Sequence, residues 1–347
     1  MTTTFGATWS DMAEKKASDP RRPFNYGGQA VIEGVMMRGA HSAAVAVRNS
    51  EGQIVVHETP LSRRLYRGRI IRTPFVRGVV GLWDALGLGT RALMWAADVA
   101  VGEEDDVDFN GPIGWLTIGL SLLLGMGLFF LVPTLGAAGI GNLLGLTPDG
   151  TAPIGFAAFI VNLIEGLIQI TMLITYIWAI GRIPDVKRLF GYHGAEHKTI
   201  NAWEAGADLT PEVVDGFPIE HPRCGTAFLL TVAFVSVLVF SLLGRPPLPL
   251  LVLSRVVLIP ALAGIAYEVI QFSARNFHRP LVRALVRPNL ALQHLTTRQP
   301  ERHMLEVAIV AFERVLVSEG LLAREEAQIP EPDPAAVSPT LAAGEGT

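Results

Sequence analysis

From residue 75 onward, long uncharged apolar runs alternate with short charged stretches marked by glycine and proline, and this alternation predicts most of the elements. Four runs reach the length of about 20 apolar residues that a membrane crossing needs. They lie at about 113–135, 154–180, 226–243 and 248–272, the last with Pro260 as a kink. Arg255 falls in the first third of the fourth run, where a long side chain is expected to snorkel outward. A fifth apolar stretch, 75–101, is different. Arg77, Asp84, Arg91 and Asp98 recur every seven residues there and form one slowly drifting stripe on a helix. That pattern predicts a helix in the membrane interface or packed on the bundle rather than a span. An acidic loop, Glu103 to Asp108, follows it.

Upstream, the pattern has period two. Ala43–Arg48 and Gln53–Glu58 are short runs around a turn containing Gly52, which is a hairpin signal. Before them, Gly27 to Gly39 holds four glycines, a sign of tight turns or close backbone approach. Glu33 and Arg38 are the only charges in that stretch. They either face a ligand or belong to a glycine-rich strand packed on something else. At the other end, Pro300 opens an amphipathic helix with Met304, Leu305, Ala308, Phe312, Val315 and Leu316 on one face, closed by Gly320. The organisation expected is a disordered lead over 1–23, a β-hairpin region over 24–73, and an interfacial helix with its acidic loop over 74–110. A four-span domain over 111–275 follows, then a helical tail over 276–323 and disorder over 324–347. The fold class is therefore mainly α, a polytopic membrane protein with a small β region. The first twenty residues, polar and mixed in charge, do not read as a cleavable signal peptide.

Composition sharpens this picture. The chain has 347 residues, of which 17% are charged, against about a quarter in soluble domains. A net charge of −4 offers no bulk basic field, so no nucleic-acid partner is expected. Lysine and arginine gather before the first run (Arg63, Arg64, Arg67, Arg69, Arg72), between the second and third (Arg182, Lys187, Arg188, Lys198, Arg223), and after the fourth (Arg275, Arg279, Arg283, Arg287). The first-to-second loop has none. The alternation predicts an inner-membrane protein with both termini and the 181–225 loop in the cytoplasm, and the lipid bilayer as its first partner.

The candidate chemistry lies in that loop. His193 and His197 are spaced i, i+4, which on a helix puts two imidazoles on one face within reach of one metal ion. With Glu196 between them the order is H-x-x-E-H, used by inverzincin hydrolases, and Glu196 is placed to act on a metal-bound water. The competing reading is an amphipathic helix whose histidines only cap and hydrogen-bond. His221 and Cys224 form an H-x-x-C spacing just before the third run, and both types are common zinc ligands. Cys224 is the single cysteine, so no intrachain disulfide can form. Glu268 lies near the cytoplasmic end of the fourth run, where an ionisable residue is a functional candidate or a salt-bridge partner of Arg275 or Arg279. All three segments are expected at one membrane face. Asn162, Glu165 and Gln169 share one face of the second run, either lining a polar path or hydrogen-bonding between helices.

The stretches GGQAVIEGVMMRG, YHGAEHKTI, HPRCGT, YEVI and LTTRQP, in this order over about residues 24–320, resemble the YqhQ-type family of bacterial membrane proteins. The resemblance implies an integral membrane protein of a family described as predicted metal-dependent enzymes. Its matching positions here are His193, Glu196, His197, His221, Cys224 and Glu268.

Together these features lead to an expectation of a cytoplasm-facing, membrane-embedded metal-dependent enzyme, foremost a zinc hydrolase acting on an amphiphilic or membrane-presented substrate. His193 and His197 bind the metal, Glu268 with one or both of His221 and Cys224 completes the shell, and Glu196 is the general base. The alternatives are a transporter or channel component lined by Asn162, Glu165 and Gln169, and a non-catalytic scaffold with a structural metal. The oligomeric state is left open.

Overall fold

The computed structural model describes residues 26–61, 73–101, 111–146 and 155–330. The expected disordered lead, the basic cluster from Arg63 to Arg72, the acidic run Glu103–Asp108 and the tail beyond 330 lie outside the described residues.

The glycine-rich stretch and the hairpin join into one antiparallel meander: β1 (Gly27–Val31), β2 (Gly34–Arg38), β3 (Ser42–Arg48) and β4 (Ile54–Pro60), in that order across the sheet. Val31 pairs with Gly34 across a tight turn in which Glu33 takes φ 52°. Successive side chains of a strand point to opposite faces. Val35, Met37, Ala44 and Ala46 accordingly enter one core, and Met36, Val45 and Val47 another. The central strands are thus covered on both sides, which is why they read as continuous apolar runs.

Helix α1 (Val76–Val101) covers the second face through Ala92, Trp95 and Ala96. The first face is covered from the far end of the chain by α10 (Arg302–Ser318). That helix forms where expected, but its burial is not one-sided. Val307, Ile309, Val310 and Ala311 are buried along with the predicted face. The reason is that α10 lies between the sheet and a second helix, α4 (Pro184–Ala205), and touches both. Beyond α10 the chain folds back, and the Gln328 amide donates to Glu313 at 2.6 Å.

The remaining long helices form the apolar part. These are α2 (Pro112–Leu143), α3 (Phe156–Ile180) and α6 (Gly225–Leu243), with α7 (Leu248–Val257) and α8 (Ile259–Arg275) as a broken pair. A short helix α5 (Pro211–Val214) lies between α4 and α6, and α9 (Pro280–Thr296) links α8 to α10. Among the described residues, α2, α3 and α6 are each long and apolar enough to cross a membrane, and the α7–α8 pair makes a fourth if counted as one span. The first half of α2 has no buried residue and exposes Ile113, Leu116 and Leu123, a surface unsuited to water.

Two breaks have proline at their root. The α7–α8 pair bends by 44° beside Pro260, which cannot donate to the carbonyl four residues back. Helix α2 runs eight residues past its expected end at 135 and contains a π segment at Gly127–Leu131, just before Pro133. Pro133 leaves the Phe129 carbonyl without its helical donor, and Gln169 of α3 supplies one at 3.4 Å.

Candidate metal centre

The site is built on α4. Pro184 starts this helix and Asp185 lies in its first turn, favourable at a helix N-terminus. Its middle, Gly191 to Ala202, is buried at almost every position, because it threads between α10, β1 and the loop before α6. Gly194 lets the backbone of residues 298–300 approach; a Cβ there would collide with the Arg298 carbonyl. That approach brings the Thr296 carbonyl to His193.

His193 and His197 stack edge to face with ring centroids 4.4 Å apart. His193 donates from Nδ1 to the Thr296 carbonyl at 2.8 Å, and His197 donates from Nδ1 to the Ile219 carbonyl. With both Nδ1 atoms committed as donors, Nε2 is the lone-pair site of each imidazole when neutral; while His193 is charged, its Nε2 holds a proton toward Cys224. Both Nε2 atoms point toward Cys224, whose Sγ is 3.2 Å from His193 Nε2. The two imidazoles and the sulfur offer ligand atoms all within 4.8 Å of one another. His197 Nε2 is buried and has no hydrogen-bond partner.

Cys224 caps α6, receiving the Thr226 amide at 3.4 Å and lying 3.1 Å from the Thr226 hydroxyl. The loop that delivers it is tied down from two sides. Asn201 on α4 donates to the carbonyls of Pro218 and Glu220 at 2.9 and 3.0 Å, and Lys198 binds Asp215. Gln293 on α9, wholly buried, grips the His221 peptide: it accepts its N–H and donates to its C=O, each at 2.8 Å.

The charges follow from this packing. Burial pushes the His193 imidazole down, but the Cys224 sulfur, Glu196 and the Thr296 carbonyl together raise it to about 9. Burial pushes the Cys224 thiol up, yet His193 and His197 hold it well below the usual thiol range. Glu196 is pushed up by burial against the pull of the two histidines. Its carboxylate lies on β1: a Cβ at Gly28 would sit 3.0 Å from Glu196 Cδ and 2.5 Å from the Met36 carbonyl. The Gly28 amide favours its charged form, and Oε2 has no hydrogen-bond partner.

The other expected site residues lie elsewhere. His221 is next to the cluster, its ring 5.6 Å from that of His197, but its Nε2 faces Arg223 at 3.2 Å and Glu204 at 4.0 Å. Burial and Arg223 push its pKa down to about 4, so it is neutral at physiological pH. Glu268 is not brought to the cluster. It pairs bidentately with Arg77 of α1 and accepts the Phe75 amide at 3.0 Å, so its salt bridge is to neither Arg275 nor Arg279. Glu33 binds Arg188 through both oxygens and the Tyr192 hydroxyl at 3.2 Å, fastening the β1–β2 turn to α4. Arg38 ends β2, opposite Gly27 and Ala43.

The α3 set forms a separate, interhelical network. Asn162 donates to the carbonyls of Phe240 and Gly244, and Glu165 accepts from Thr134 at 3.0 Å, Arg245 at 2.6 Å and Arg255 at 3.0 Å. Arg255 does not snorkel outward. It is 4% exposed, held by that carboxylate and by the Phe240 ring 3.6 Å away.

Sequence reasoning missed the supporting residues Gln293, Thr296, Asn201 and Lys198. The available signal was the helical spacing of Gln293 with Val282 and Val286, which puts an amide on an apolar face.

These features define a class of chain: three or four membrane-length helices joined to a sheet-and-helix layer that buries a His-His-Cys cluster. The chain belongs to the family described as "Protein of unknown function (DUF1385)", which matches residues 73–318. It is 34% identical over 311 residues to "Uncharacterized protein YqhQ" of Bacillus subtilis (strain 168), a match covering 86% of this chain and 94% of that protein. No solved structure matches the chain.

Proposed function

We propose that the protein is a multi-pass inner-membrane hydrolase with both termini cytoplasmic, and that His193, His197 and Cys224 hold one divalent transition metal, zinc by preference. The observation that carries this reading is the buried, partnerless Nε2 of His197. It lies in a ring of three ligand atoms whose tautomers are already fixed by the Thr296 and Ile219 carbonyls. Two nitrogens and one thiolate suit zinc, and three protein ligands leave a fourth position, the pattern of catalytic rather than structural sites.

Zinc bound there would supply a Lewis acid and a water whose pKa falls to about 7. Glu196 accepts the proton. It is one residue from His197, shares the electrostatic field of all three ligands, and has a free oxygen. Its raised pKa suits a general base, whose contribution is typically 10²–10⁴-fold in rate. Glu268, occupied by Arg77, stays outside the ligand set. The cluster lies where α4 meets the N-terminal end of α6, beside the apolar bundle, which favours an amphiphilic or membrane-presented substrate.

A second reading has one observation in its favour. The 3.2 Å contact of Cys224 Sγ with His193 Nε2 also suits a thiolate nucleophile activated by an imidazole.

Elemental analysis of the detergent-purified full chain separates the two. About one zinc per chain is expected, lost in His197→Ala and Cys224→Ser and kept in Glu196→Gln. Cobalt-exchanged protein should show a thiolate-to-metal charge-transfer band that Cys224→Ser abolishes. A metal-free native protein whose cysteine is alkylated rapidly at neutral pH would instead establish the nucleophile. Loss of metal in Glu196→Gln would make Glu196 a ligand and end its role as base.

A further inference from the structure

The end of the bundle far from the His-His-Cys cluster holds a second built site. A cavity of about 650 Å³ lies where the end of α6, the start of α3 and helix α7 meet. Its walls are apolar, with Ala158, Phe240, Leu243 and Leu251 among them, but Arg245 and Arg255 also line it. Among the described residues, no acidic side chain lines it.

The two guanidinium groups share one carboxylate. Arg245 donates to Glu165 Oε2 at 2.6 Å, to Asn162 Oδ1 at 3.1 Å and to the Thr134 carbonyl at 2.9 Å. Arg255 donates to Glu165 Oε1 at 3.0 Å. The charges bearing on Arg255 are those of Glu165 and Arg245. Two positive charges against one negative leave +1 among the described residues, in an apolar surrounding where an unbalanced charge is costly. Arg255 is buried, yet its Nε–H has no acceptor. The cavity therefore presents one net positive charge and an apolar wall.

We propose that this cavity binds the monoanionic phosphodiester head of an anionic phospholipid, with its glycerol and upper acyl carbons against Leu243 and Leu251. A phosphodiester carries the single negative charge the site lacks. A zwitterionic headgroup brings no net charge, and an ion without a chain leaves the apolar wall wet. The inference rests on the membrane-spanning reading of the helices and is independent of the metal.

The test uses the full chain in detergent, delipidated and then offered equal amounts of phosphatidylglycerol and phosphatidylcholine, with bound lipid counted by native mass spectrometry. One phosphatidylglycerol per chain is expected, favoured at least tenfold over phosphatidylcholine and not displaced by equimolar inorganic phosphate. Arg255→Gln should reduce its retention at least tenfold. Ser254→Phe, which fills the cavity and keeps both arginines, should do the same and decides the matter if Arg255→Gln fails to fold. Equal retention of the two lipids, displacement by phosphate, or wild-type retention in the folded variants would overturn the proposal. Extraction of the chain without detergent would instead refute the membrane-spanning reading. Zinc content should not change in either variant.

Discussion

Gln293 offers the sharpest test of how the cluster is held. Its side-chain amide is wholly buried and makes two hydrogen bonds to the His221 peptide, three residues before the proposed ligand Cys224. Gln293→Met keeps the length and most of the volume but removes both hydrogen bonds. The His221 N–H is then buried and unsatisfied, at about 1–3 kcal/mol, while its C=O keeps the Cys224 amide at 3.2 Å. Part of this cost falls on global stability and part on the loop that presents Cys224. Residues that orient ligands in this way typically change metal affinity by about 10–100-fold, or about 1.4–2.8 kcal/mol, which lies within that cost. The assay is zinc competition against a chromophoric chelator, with thermal unfolding followed in parallel in the same detergent. Asn289→Leu, on the same helix, is the control. It removes a 3.1 Å bond to Thr231 away from the loop and should lower the melting temperature without weakening zinc binding. A Gln293→Met protein with unchanged zinc affinity and unchanged melting temperature would refute the clamp.

Glu268→Gln should keep its full metal content and lose no more than about 1 kcal/mol of stability, as expected of a partly exposed ion pair, because its partner is Arg77; loss of metal would return Glu268 to the ligand set. Glu313, buried on α10, has its pKa raised by burial, so its contribution to stability is full below the ordinary carboxylate pKa of 4.5 and is lost as pH rises through its folded value. Glu313→Gln, which can still accept the Gln328 amide, should therefore melt higher than the native chain at pH 7–8, with the difference closing toward pH 4.5; a constant difference across that range would refute the burial cause. A reporter active only outside the cytoplasm should be active when fused after Asp149 and silent after Asp208, and the reverse pattern would invert the proposed orientation.

The elements governed by local pattern were legible in the sequence. The apolar runs gave membrane-length helices, the period-two runs gave paired strands, and Pro260 sits at the bend between α7 and α8. The helical spacing of His193 and His197 was legible too; that Cys224, rather than His221 or Glu268, is the residue brought to them was not. Partnerships between distant residues were not. Glu268 lies about two helical turns from Arg275 in sequence, yet Arg77, 191 residues away, takes its carboxylate. Arg255 looked free to reach the interface because nothing near it in sequence announces Glu165, 90 residues earlier. The α10 helix read as one-sided because a polar position such as Glu313 looks exposed until a second layer is known to cover it. Hydropathy periodicity reports how many faces can be buried, and only the partners decide how many are.

The covering of the sheet by α10 has a consequence for the order of synthesis. The Tyr26 hydroxyl is bonded to Glu319, 293 residues later, and the β2–β3 core is closed by the last long helix of the chain. At about 5–20 residues per second, the sheet, ending at Pro60, is complete roughly 13–52 s before its cover, ending at Ser318, leaves the ribosome. Throughout that interval the apolar face of Val35, Met37, Ala44 and Ala46 lacks its main cover, with only α4 made in time to reach β1 and β2. The nascent chain must keep it shielded while the intervening apolar helices are placed, and a transcript cut short before codon 302 yields a sheet that can never close.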